Sequence, residues 1–334
     1  MKKIAICVLC SLTVMSGCKG FKTQGSDNDN DTLSPTLSVD ADTIECADEE
    51  PELPVFTVTT EEQFLDALGS NRVVFLDKDV HLNLSRVLED ESYFKDKPGR
   101  YWANEVEYYI KDTPMAVSEI EFDGRQLALV GYENLTIQGA EDASIEVDPR
   151  YSYCLYFVGC SGCVIDNLTI GHSEGGYCSG GVIGVKGGFS NYVKNCDLYG
   201  CGTYGFDVMD TELLNVDRTI VRDCTYGIMQ LRRSRTIRFN ACDFFRNREF
   251  ELIESRGCSD VGFYNCRFFA NDGDAPLFSF DNDFTLSGCA VYHPSKNLGT
   301  IDLAEQSPNE SSFHEDPFDT SIENREIGPS YSEE

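Results

Sequence analysis

The feature that most constrains this chain is a repeat running from residue 132 to 291. Seven short segments, at 134–137, 163–170, 192–198, 220–224, 237–244, 263–268 and 286–291, combine alternating apolar residues with Asn, Asp or Gly turn residues. Their apolar centres are Ile137, Ile165, Val193, Val221, Phe239, Phe263 and Leu286. These follow one another at intervals in the twenties, with a single shorter step from Val221 to Phe239. A period of that length, carried by short alternating segments, predicts coils stacked into a β-solenoid. No stretch of helical length in this region has an apolar residue on every third or fourth position.

The repeat has an inner side. Three residues after each centre from Ile165 onward stands Leu168, Cys196, Cys224, Cys242, Cys266 or Cys289. In parallel coils equivalent side chains stack roughly 4.8 Å apart. Leu and Cys suit a narrow interior because neither carries a polar group that burial would strand. A second strand per coil is expected at 205–210, 227–232 and 249–254.

These coils resemble the right-handed parallel β-helix proteins of the pectate-lyase-like superfamily. The resemblance covers about half of the chain. It implies an all-β, single-stranded, right-handed parallel β-helix with a short N-terminal helical cap. Proteins of that superfamily are lyases, hydrolases, epimerases and adhesins, so the fold by itself selects no activity.

Residues 1–17 read as a signal peptide: Lys2 and Lys3, then an apolar run too short to span a bilayer. Val14-Met15-Ser16-Gly17-Cys18 resembles a bacterial lipobox, so Cys18 is the expected lipidation site and the membrane an expected partner. Residues 18–54 are acidic and poor in apolar residues, the composition of a disordered tether. Asp31-Thr32-Leu33 and Asp42-Thr43-Ile44 within it resemble sites that Bacteroidetes O-glycosylate. The solenoid domain is placed at 55–300. In it, a helix beginning at Thr60-Glu61-Glu62 and ending at Gly69 is expected to cap the first coil, followed by a strand over 72–82. A long insertion at 86–118 carries the one tryptophan, Trp102, with Tyr101, Tyr108 and Tyr109. A Gly-rich turn at 171–181 carries His172 and Tyr177. An acidic tail occupies 301–334.

The formal net charge is −30, with 57 acidic against 27 basic residues. That balance argues against nucleic acid as a partner. The 15 cysteines of an exported chain would ordinarily suggest disulfides. Cys196, Cys224, Cys242, Cys266 and Cys289 instead fit a column of buried thiols, because side chains pointing the same way are poorly placed to bridge. One or two bridges remain open among Cys154, Cys160, Cys163, Cys178, Cys201 and Cys258. No zinc-ribbon spacing occurs, no cofactor is indicated, and the acid cluster that a calcium-dependent lyase needs is not recognisable.

Chemistry on such a fold is expected on the outside of a sheet. Asp210, Arg232 and Glu254 are evenly spaced along the chain and are the expected catalytic row, two carboxylates around a guanidinium. Arg233 beside them, Asp207 and Glu251 around Met229, and Trp102, Tyr177 and His172 are the expected substrate-binding residues. The alternative is a solvated face held by ion pairs between coils. The sequence therefore predicts a lipid-anchored protein of the cell envelope, on the outer membrane, that engages carbohydrate; whether it also cleaves it, as a polysaccharide lyase or glycoside hydrolase, is left open. A non-catalytic adhesin or structural spacer is the competing reading.

Overall fold

A computed structural model describes residues 52–103, 114–175, 180–200, 204–306, 311–315 and 327–329. Cys18, the tether up to residue 51, Tyr108, Tyr109, Tyr177, Cys178 and Cys201 lie outside the described residues. Among the described residues no helix is long and apolar enough to cross a membrane.

Each coil visits three parallel sheets in turn. The first sheet has ten strands, from Val55–Val58 and Arg72–Leu76 to Ala304–Gln306; the second has nine, from His81–Asn83 to Ser312–His314. The third has nine, from Arg100–Ala103 to Phe278–Phe280. Among the described residues strand pairing is parallel apart from the hairpin of Met115–Glu121 with Gly124–Val130.

The sequence shows why the chain turns where it does. Asn167, Asn195, Arg218, Ala241, Asn265 and Gly288 have positive φ, and each stands directly before the residue that turns inward at the corner between the first and second sheets. Asn and Gly enter this left-handed region at least cost, which explains the recurring Asn-Cys and Gly-Cys pairs. The inward corner column is Leu168, Cys196, Thr219, Cys242, Cys266, Cys289 and Ser311. Thr219 Oγ1 donates to the Asp217 carbonyl at 3.0 Å and accepts from the Cys196 N–H at 3.4 Å. Cys196, Cys266 and Cys289 likewise donate to the carbonyl two residues before them. After Leu168 the column holds small side chains with one donor, and hydroxyl and thiol both serve.

Two expectations are corrected here. Val221 belongs to the second sheet, in register with Leu198 and Phe244. The column of the first sheet runs instead through Val216, midway between Val193 and Phe239, and the short step disappears. Cys224 accordingly leaves the thiol column. It lies at the corner between the second and third sheets, where its N–H donates to Asn247 Oδ1 at 3.0 Å, and Asn247 N–H donates in turn to Asn271. The nine described cysteines are buried and form no disulfide.

The interior is continuous and apolar. Phe239 stacks on Phe263 at 5.1 Å and Phe244 on Phe268 at 4.8 Å, each ring in one coil lying on its counterpart in the next. Each such side chain contributes about 1.5–3 kcal/mol on burial.

Helix α1 (Glu61–Ala67) is capped by Thr60, whose Oγ1 accepts from Gln63 N–H. Its last carbonyls, at Leu65 and Leu68, accept from the Arg100 guanidinium at 2.7 and 2.8 Å. Phe64, Leu65 and Leu68 are buried in the core. The region read as one strand at 72–82 is two, Arg72–Leu76 and His81–Asn83, and an unanticipated strand, Val55–Val58, precedes the helix. The insertion is not a bare loop: it holds α2 (Ser85–Glu89), α3 (Glu91–Phe94) and the strand Arg100–Ala103.

Candidate functional site

The outward side of the third sheet carries two rows. One runs Tyr156, Gly184, Asp207, Gln230, Glu254, Ser279 across six coils. The other runs Val158, Lys186, Met209, Arg232, Arg256. The proposed alignment of Asp210, Arg232 and Glu254 does not occur. Coils here are slightly longer than the interval between those residues, so the row drifts out of register: Arg232 pairs along the sheet with Met209 and Arg256. Asp210 is a corner residue with φ 52°, opposite Arg233 with φ 46°. These two form an exposed bidentate pair, both contacts 2.8 Å. That pairing holds the Asp210 carboxyl below its usual range. Met229 points inward with Phe206 and Ile253, and Glu251 lies in the turn before Ile253–Arg256 rather than on Asp207's row.

What the fold does bring together is a cluster that includes Asp207, Arg232 and Glu254 in other partnerships. Tyr153 leaves the corner before Leu155–Val158 and crosses the neighbouring coil. Its ring stacks on Tyr156 at 4.8 Å, and its phenol donates to Asp207 Oδ2 at 2.5 Å. Asp207 accepts in addition from Arg232 at 2.7 and 2.9 Å. Gln230 donates to Glu254 at 2.7 Å, and Arg256 pairs with the same carboxylate at 3.3 Å. Burial, then the charge and hydrogen bond of Asp207, push the Tyr153 phenol far above its ordinary range. Tyr156 is pushed up to about 12 by burial and then by Glu119 and Asp207. Tyr204 reaches about 12 through burial and then Glu254, Asp207 and Glu251. These phenols are hydrogen-bond donors and stacking surfaces at any physiological pH, not bases. Arg232 Nε is buried on this face without a hydrogen-bond partner.

Glycine makes the crossing possible. A Cβ at Gly184 would stand 2.7 Å from the Tyr156 ring and 3.0 Å from that of Tyr153. The tyrosines thus lie flat on the sheet because the coil beneath them has no side chain there.

The remaining expected residues are elsewhere. His172 ends the strand Thr169–His172, buried, with Nε2–H donating to the Ser152 carbonyl at 3.0 Å. Burial lowers its pKa, which keeps it neutral. Trp102 is half-buried and packed against the core, with the Arg125 guanidinium 3.8 Å from its ring. Among the described residues no group of His, Cys, Asp and Glu is set to hold a metal ion. Sequence reading missed Tyr153, Tyr156, Tyr204 and Gln230. The available signal was the step from Tyr156 to Gly184, equal to the step from Ile137 to Ile165 between the corresponding coils of the first sheet.

Three solved structures share the architecture at low similarity. A pectate lyase mutant of Bacillus subtilis is 9% identical, with 83% of this chain and 88% of that one covered and a TM-score of 0.47. A polygalacturonate lyase fused with a self-assembling amphipathic peptide is 11% identical, with 83% and 88% covered and a TM-score of 0.42. The major allergen of cedar pollen is 11% identical, with 81% and 82% covered and a TM-score of 0.40. Likenesses this distant decide nothing about activity. No curated protein matches the sequence. Residues 129–310, more than half of the chain, match the family model described as a right handed beta helix region, and the chain belongs to that family.

Proposed function

We propose that this protein binds carbohydrate on the outer face of its third sheet, as a lipid-anchored component of the cell envelope. The observation that carries the reading is the Tyr153–Tyr156 pair lying against the sheet beside Asp207, Arg232, Gln230 and Glu254. Apolar ring faces next to fixed donors and acceptors match the alternation of C–H and hydroxyl groups on a sugar ring. Arg232 adds a cation on a strongly acidic molecule, which favours a sugar bearing a carboxylate or sulfate. The lipobox at Cys18 and the acidic segment after it support tethering to the outer membrane.

Binding fits this face better than cleavage. Asp207 is engaged by Tyr153 and Arg232, and Glu254 by Gln230 and Arg256, so neither carboxylate is poised as a general base. The competing reading, a structural spacer, is favoured by the many ion pairs between coils, such as Arg222 with Asp197 and Arg267 with Asp243. A glycan panel probed with the purified protein decides between them. We expect retention of an acidic glycan that Arg232→Ala abolishes, without release of unsaturated sugars detectable by ultraviolet absorbance. Absence of any glycan retention favours the spacer, and unsaturated products establish a lyase.

A further inference from the structure

One outward row of the second sheet reads, from coil to coil, Ser144, Thr169, Asp197, Ile220, Asp243, Arg267. In that stretch Ile220 alone is apolar. The carboxylates on either side of it are held by Arg222 and Arg267. Alternation along the strand turns Val221 into the core and Ile220 away from it, so the core does not account for the isoleucine. Two residues earlier the chain passes the corner at Arg218, with φ 44°.

Both features are met by a segment from the far end of the sequence. Gly328 N–H donates to the Arg218 carbonyl at 2.9 Å. A Cβ on Gly328 would stand 3.0 Å from Ile220 Cδ1 and 3.8 Å from the Cys196 carbonyl oxygen. Gly328 and Pro329 are buried and Ile327 is half-buried. Gly328 has φ 82°, so both its backbone and its close approach to Ile220 call for glycine. Pro329 has a fixed φ, which lowers the entropy lost on docking. The chain is long enough to reach. Ser312–His314 stands four strands from Ile220–Arg222 in the second sheet, roughly 19 Å at the spacing of paired strands. The twelve residues between His314 and Ile327 can extend over about 40 Å.

We infer that Ile220 and the Arg218 carbonyl form a peptide-docking site on the outside of the second sheet, and that its ligand is Ile327-Gly328-Pro329 of the same molecule. An apolar pad beside one backbone acceptor fits a segment that brings a backbone donor, no side chain at the point of contact, and a stiff apolar residue directly after it. A contact this small is weak between separate molecules. Attachment through a short stretch of the same chain raises the local concentration to the order of millimolar, which makes the contact effective. Docking and release then need no coil to unfold, because every bond of the segment to the solenoid lies on its outer surface.

The test follows hydrogen exchange at single amides of the full-length chain, with a synthetic peptide of residues 324–331 as the unprotected reference. In the wild type the Gly328 amide is expected to exchange about ten-fold or more slowly than in the peptide. Ile220→Thr installs the residue that Thr169 already supplies to the same row. In that variant the Gly328 protection is expected to vanish, while the sheet amides of Leu198 and Val221 keep theirs. Gly328→Ala alters only the segment and is expected to lose protection at the same amide, measured against the matching peptide; it gives the reading even where Ile220→Thr loosens the sheet. A Gly328 amide that exchanges like the peptide in the wild type overturns the inference, as does protection that survives in either variant. Protection that rises with protein concentration, together with a dimer in sedimentation velocity, assigns the segment to a second copy and overturns docking within one molecule.

Discussion

Tyr153 and Asp207 belong to coils separated by a whole intervening turn of the solenoid, yet the phenol reaches the carboxylate at 2.5 Å. The tyrosine lies across Gly184 to do so. Tyr199 repeats the arrangement on the second sheet, lying over Gly171 and donating to Glu146. In both places a glycine in one coil is the condition for a contact between its two neighbours.

Gly184→Ala is therefore expected to lift Tyr153 and Tyr156 off the sheet. We expect a loss of about 1–3 kcal/mol, the usual cost of overfilling a packed site, measured by denaturant unfolding, together with weakened glycan retention. Wild-type stability and binding in this variant would show that the tyrosines do not depend on the glycine.

Tyr153→Phe keeps the ring and removes the donor. A hydrogen bond to a charged acceptor contributes about 1.5–3 kcal/mol, and partial exposure places the expected loss at the lower end. The Asp207–Arg232 pair remains, so glycan retention should fall less than in Arg232→Ala. Equal losses in the two variants would mean that Tyr153 acts by positioning Arg232.

Glu121, at the end of the hairpin strand Met115–Glu121, has its carboxyl raised to about 7 by burial and then by Glu119 and Asp123. Its folded value is above the unfolded one, so the native state binds the proton more tightly. The stabilisation from this group is complete below the unfolded value, near 4.5, and is lost as pH rises through about 7. Glu121→Gln should accordingly raise the Tm relative to wild type at about pH 8.5 and leave it level at about pH 4. A Tm difference independent of pH would refute this titration.

Cys242 tests the inner column. Cys242→Thr should be tolerated within about 1 kcal/mol, because Thr219 fills the same position one coil earlier. Cys242→Asp should cost several kcal/mol, since the charge would have no partner in the core. Circular dichroism melts of the two variants give the comparison; similar melts would contradict the column.

Cys18→Ser is expected to release the protein from membranes into the soluble fraction on cell fractionation. A variant that stays with the membranes would remove the basis for a lipid anchor.

The coils were legible from sequence because burial imposes a strict inside and outside on each strand, and Ile137, Ile165, Phe239 and Phe263 recur accordingly. The register was not fully legible. The Val221–Cys224 segment has the same apolar-then-cysteine pattern as its neighbours, yet it belongs to the second sheet, and the true column member, Thr219, is chemically equivalent to cysteine without resembling it. On the third sheet a small error of register was enough to exchange partners: Arg232 was aligned with Asp210, whereas its partner is Asp207. Tyr153 was unreadable for another reason. Its role depends on a glycine and a carboxylate in two further coils, and no local pattern joins the three.

The corner columns also govern how such a chain can change in length. At each corner an N–H of one coil is received by a side-chain atom of the following coil, as Cys196 is by Thr219 and Thr211 by Ser234. Across the first and second sheets, losing or gaining a single residue between two corners would leave the donors at the next corner facing the wrong atom, whereas the stretch that carries the third sheet does lengthen, from Cys224–Ser234 to Asn247–Cys258, with the corner bonds kept. Gaining or losing a whole coil, the step from Val216 to Phe239 for instance, would leave every donor matched. The molecule is therefore free to grow by duplication in whole turns and is closed to growth by smaller steps, except along the stretch that carries the third sheet and in the segments that leave the coil between corners.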